Sequence, residues 1–221
     1  MSVFFLLAVA VSAFILTFAT GFIVLRAVTA FSTEECWAFS GAAGCTVLAT
    51  IAAGIFLVHQ FDRIYYVGAL IAILLLCMMI IKLRKIPIPL TRPPRWIAYI
   101  LLFWVVLISF QCITPVYTGA FMYGDWWMHY DIALFFKGLR PLDTEYFGAY
   151  GIPSRTPFFN LFATYFLALF NDQFAVYQMV TVIPGIALIG VLLAFTHKTN
   201  VALFLLFSSP FLVTMMLYPW P

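Results

Sequence analysis

Apolar residues fill long uninterrupted stretches of this chain, and polar residues gather in the short segments between them. Seven stretches read as candidate membrane-crossing helices: 3–26, 37–59, 64–82, 96–117, 158–170, 174–196 and 200–218. The ruler is physical, since a helix needs roughly 20 apolar residues to cross a hydrocarbon core of about 30 Å. The fifth stretch falls short of it, and extension back toward Thr156 or a tilt makes up the difference. Gly41, Gly44, Gly54, Pro184, Gly185 and Pro210 lie inside these runs and are read as packing faces, because neighbouring helices satisfy the backbone and small residues allow close approach. The first run is too long for a signal-peptide core and begins Met-Ser-Val without a basic leader, so it reads as a retained helix.

Composition turns this pattern into a class. Of 221 residues, 65% are hydrophobic and 9% charged, whereas a surface facing water needs roughly a quarter of the chain charged. Most of the surface is therefore solvated by lipid, and the expected fold is all-α: a polytopic helix bundle with about seven spans, in a plasma or inner membrane, with membrane lipids as partners. A net charge of +3 provides no basic face for nucleic acid. Cys45, Cys77 and Cys112 lie within apolar runs, Cys36 precedes one, and none forms a CxxC pair, so all four read as small packing residues.

Orientation follows from the basic residues. Lys82, Arg84, Lys85, Arg92 and Arg95 crowd the link between the third and fourth runs with no acid among them, the signature of a cytoplasmic loop. Pro87, Pro89, Pro93 and Pro94 stiffen that loop as an extended connector. Residues 118–157 then lie on the extracytoplasmic side. The chain divides into a four-span bundle over 1–117, a loop over 118–157 and a three-span segment over 158–221.

That loop holds seven of the chain's 19 charged residues: Asp125, Asp131, Lys137, Arg140, Asp143, Glu145 and Arg155. Long connections in compact proteins are functional or disordered, and this one is too aromatic for disorder. Residues 124–137 predict a helix capped at Asp125 or the residue before it, lying along the membrane surface with Trp127, Tyr130, Ala133 and Leu134 on its apolar side. Asp125 and His129 share a face of it, one turn apart, and Asp131 points elsewhere. A carboxylate at such a place serves as helix cap or as general base. The Asp-x-x-x-His spacing, with no third ligand nearby, gives no basis for a metal, and no cofactor is expected. Further on, Gly148, Gly151, Pro153 and Pro157 shape a turn around Arg155, whose guanidinium beside Ser154 and Thr156 suits a phosphate oxygen or an interfacial anchor. His59 and His197 sit at span ends and read as interfacial.

Taken together, Tyr123-Gly-Asp125-Trp-Trp-Met-His129-Tyr-Asp-Ile-Ala133 and Arg155-Thr-Pro157-Phe-Phe-Asn-Leu161 resemble the front part of the membrane-embedded GT-C glycosyltransferases. The similarity is greatest to the branch with protein mannosyltransferases, the lipid A aminoarabinose transferase and the bacterial dolichyl-phosphate-mannose-type enzymes. In those families the first large extracytoplasmic loop opens with a catalytic Asp and closes with an Arg-x-Pro-like start to the next helix. The resemblance implies a polyprenyl-phosphate sugar as donor, Asp125 as the base that activates the acceptor hydroxyl, His129 as a supporting catalytic residue, and Arg155 on the phosphate side. Asp131 and Lys137 complete the candidate substrate-binding set. Two features depart from the family: three spans precede the helix leading into Asp125, and the chain stops at Tyr218-Pro-Trp-Pro221, before the helices and domain that complete the site. An enzyme and a noncatalytic subunit, built on the same scaffold and held by other membrane proteins, both remain open at this point. A transporter is disfavoured because the span interiors hold almost no ionisable residues.

Overall fold

The computed structural model describes residues 2–87, 94, 96–113, 123–140, 145–146, 150–151 and 158–196. The described residues form an all-α bundle of seven helices: α1 Val3–Val28, α2 Thr33–Leu57, α3 Arg63–Leu83, α4 Trp96–Ile113, α5 Tyr123–Phe136, α6 Phe158–Leu169 and α7 Phe174–Thr196. A two-residue antiparallel pairing joins β1, Glu145–Tyr146, to β2, Tyr150–Gly151. Five of the described helices, α1 to α4 and α7, are long and apolar enough to cross a membrane. The protein is thus a multi-pass integral membrane protein. The run at 200–218, with Pro210 and His197, lies outside the described residues.

Local chemistry sets the helix ends. Ser2 and Asp62 cap α1 and α3 by accepting from Phe5 N and Ile64 N. At α2 the Ser32 hydroxyl accepts from Glu35 N while the Glu35 carboxylate accepts from Ser32 N at 2.7 Å, a reciprocal capping box. That box starts α2 at Thr33, four residues before the apolar run at 37. Three helices close with the same carboxyl-terminal turn. Gln60 N donates to Ile55 O, Ile86 N to Ile81 O and Leu139 N to Leu134 O, around His59 (φ 53°), Lys85 (φ 51°) and Gly138 (φ 77°).

Small residues on α2 bring the bundle together. A Cβ on Gly21 of α1 would stand 1.8 Å from Ser40 O, and one on Gly44 would stand 1.9 Å from Thr17 O, so the two backbones meet directly. Gly41 meets Ala187 of α7, and Gly190 lies against Ala38 O. Gly54 differs from the packing role expected of it: nothing lies within 4 Å of its Cβ position, and it is exposed. Pro184 is accommodated inside α7, which runs on through it.

One continuous core draws on α1 to α7, including α5 through Tyr130, Ala133 and Leu134. Because successive long helices alternate in direction, the carboxyl ends of α1 and α3 meet the amino ends of α2 and α4. Arg26 accordingly donates to Pro87 O, Arg84 to Ala27 O at 3.4 Å, and the Trp96 indole to Glu34 at 3.4 Å. The opposite end carries the α2–α3 link and α5. There, Phe61 packs under Gly138, and Phe56 contacts Phe135 and Phe136.

Candidate functional site

The helix expected at 124–137 is present as α5, but it is enclosed by protein more fully than a helix lying on a surface. From Met128 to Phe135 every residue except Asp131 is buried. Tyr130, Ala133 and Leu134 enter the main core, while Met128, Ile132 and Phe135 form a second cluster with Phe56 and Phe136. Both flanks are therefore apolar contacts. Asp125 occupies the third position of α5, inside the first turn rather than at the cap.

α5 and α6 lie side by side in the same direction, with facing residues 30 or 31 positions apart in sequence. His129 meets Asn160, Ala133 meets Thr164, and Lys137 meets Leu167. The positions recur every four residues on the α5 side and at four and three residues on α6, the spacing of one helical face. The Asn160 amide nitrogen lies 3.4 Å from His129 Nδ1, and both residues are buried, at 2% and 3% exposure. An amide nitrogen donates, so Nδ1 is the acceptor in this contact. Thr164 Oγ1 donates 2.9 Å to Ala133 O and lies 2.7 Å from Asn160 O, tying both helices together one turn further on. Asn160 Oδ1 is buried with no hydrogen-bond partner among the described residues.

Charges frame the pair. The Lys137 ammonium binds the Asp172 carboxylate and donates to Leu167 O at 3.3 Å; its side chain is 15% exposed against 42% for Asp172. Arg140 pairs with Asp131 at 2.8 Å. Two of the predicted substrate-binding charges, Asp131 and Lys137, thus have protein partners that fix the far end of α5. Tyr130 donates to Asp172 O, and its ring packs against Phe174 and Tyr177 at the start of α7. Burial, followed by the carboxylates of Asp172 and Asp131, pushes the Tyr130 phenol above its ordinary value, so it keeps its proton and its role as a donor.

His129 and Asp131 therefore stand on α5 and Lys137 directly follows it, whereas Arg155 and the side chain of Asp125 lie outside the described residues. Asn160, Thr164, Asp172 and Tyr130 are site-forming residues that spacing arguments passed over. Asn160 had one available signal, as a lone amide in the run Phe158-Phe159-Asn160-Leu161. Its partner 31 residues earlier is set only by the fold. Gln178, in the second turn of α7 and 3% exposed, is another buried amide at this end, with neither side-chain atom bonded among the described residues. No group of three or more His, Cys, Asp or Glu suited to a metal occurs among the described residues. No family model, curated protein or solved structure matches this chain.

Proposed function

We propose that this membrane protein takes part in moving a sugar from a polyprenyl phosphate to an acceptor hydroxyl on the extracytoplasmic side, with the start of α5 as the reacting edge. In this reading Asp125 is the general base, His129 positions or relays the proton, and Arg155 balances the charge of the departing phosphate. Asp131 and Lys137 serve the same site by holding α5 through their ion pairs. The observation that carries the reading is the buried His129–Asn160 pair, one helical turn beyond Asp125. A polar pair buried in an apolar helix interface costs stability unless its hydrogen bonds are made, and His129 is one of the residues named by the resemblance that motivates the reading.

The test is transfer of a radiolabelled sugar from polyprenyl-phosphate donors in membranes containing the protein. Asp125→Asn, inserted normally, is expected to lower transfer by a factor of about 10²–10⁴, the usual contribution of a positioned base. Full activity in that variant, or no donor-dependent transfer by the unaltered chain, overturns the reading and leaves the noncatalytic membrane subunit.

A further inference from the structure

At the carboxyl end of α3, Met78, Met79, Ile81, Lys82, Lys85 and Ile86 line an open groove of about 720 Å³. Its polarity is graded along the helix: Met78 and Met79 are exposed apolar side chains, and the two lysines follow within two turns. From Met78 to Lys85 the axial rise is about 10 Å, so the groove is apolar toward the body of the bundle and cationic toward its end.

Among the described residues, the other charged groups of this end that make polar contacts have assigned work. Arg26 donates to Phe31 O and Pro87 O, and Arg84 donates to Ala27 O, which holds the two loops together. Glu34 accepts from Trp96, and Glu35 completes the capping box. Lys82 and Lys85 differ: among the described residues neither ammonium has an ion-pair or hydrogen-bond partner. Lys85 also occupies the left-handed position of its terminal turn, at φ 51°, where glycine is the relaxed choice.

We propose that this groove binds one anionic phospholipid, its phosphate held by Lys82 and Lys85 and an acyl chain lying along Met78, Met79 and Ile81. Charge complementarity chooses the occupant. Two unpaired cations at the rim of an apolar channel fit a molecule whose anionic head and hydrocarbon tail are joined in that order, and neither a zwitterionic lipid nor a soluble anion meets both halves. The inference is independent of any transfer activity at the α5 end.

Native mass spectrometry of the full chain in nonionic detergent, titrated with phosphatidylglycerol or phosphatidylcholine, tests it. The expected result is one retained phosphatidylglycerol, preferred by about thirtyfold, as two juxtamembrane lysines would give. Lys82→Gln with Lys85→Gln should abolish the preference, while Arg63→Gln, at the opposite end of α3, should leave it intact. Lys85→Gly separates binding from folding, because it relaxes the turn: it should weaken lipid retention while melting no lower than the parent. Equal retention of both lipids, a preference that survives the double substitution, or displacement of the lipid by inorganic phosphate alone would overturn the proposal.

Discussion

At the α5 end of the bundle Lys137 is paired with Asp172 and Arg140 with Asp131, whereas at the other end Lys82 and Lys85 stand beside an apolar groove with no acid in reach among the described residues. The first arrangement spans 35 residues of sequence in its Lys137–Asp172 contact and locks a short helix against α6 and α7. In the second, Arg26 and Arg84 bind backbone carbonyls and the lysines are left facing outward. Charge in a membrane protein does two jobs here: paired within the fold it positions a helix, and unpaired at the rim it meets what surrounds the fold. The two ends also share a terminal turn, with His59 and Gly138 in its left-handed position at the α5 end and Lys85 in it at the other.

The strongest challenge to this contrast is Gly138→Val. A Cβ at this residue would lie 2.6 Å from the Phe61 ring, in a backbone conformation with φ 77°. Left-handed strain and overpacking together are expected to cost about 3 kcal/mol, read as a lower midpoint of unfolding in a detergent titration. An unchanged midpoint would mean that this turn does not anchor α5 to the α2–α3 link.

Next comes Lys137→Met set against Lys82→Met. Removing the mostly buried Lys137 strands Asp172, but that carboxylate is 42% exposed, so solvent absorbs part of the penalty. The expected loss is about 2 kcal/mol rather than the larger figure for a fully buried pair. Lys82→Met, which breaks no pair, should shift the same unfolding midpoint by no more than about 0.5 kcal/mol. Equal losses from the two substitutions would erase the distinction between the ends.

The smallest effect belongs to Arg140→Gln. Its pair with Asp131 is 45% and 26% exposed, so the loss should stay below about 1 kcal/mol, as for other exposed pairs. Repeating the measurement in 1 M salt, where the screening length falls to about 3 Å, should remove most of it. A loss that persists at high salt would show that the Arg140 stem, not its charge, supports α5.

The boundaries of α1, α3, α6 and α7 were legible from apolar run length to within two residues, because a span's length and composition are local properties fixed by the bilayer. α5 was legible for the same reason, as a periodic stretch of helical length. The start of α2 was missed because Glu34 and Glu35 looked like residues outside a span, although Ser32 and Glu35 already had the spacing of a capping box.

What the fold alone decided is which apolar surface meets protein and which meets lipid. α3 and α6 are both strongly apolar, yet α3 leaves Ile64, Ile71, Leu75, Leu76 and Leu83 exposed, while every residue of α6 from Asn160 to Leu169 is buried. Hydrocarbon tails and aliphatic side chains are equally apolar, so composition cannot tell them apart, and burial depends on the neighbours a helix finds. The partners of His129 and Lys137 follow the same rule. The sequence by itself determined that His129 lies on this helix and Lys137 at its end, since both are matters of spacing, but Asn160 and Asp172 lie 31 and 35 positions away, and only the packing of α5 against α6 and the α6–α7 link brings them into contact.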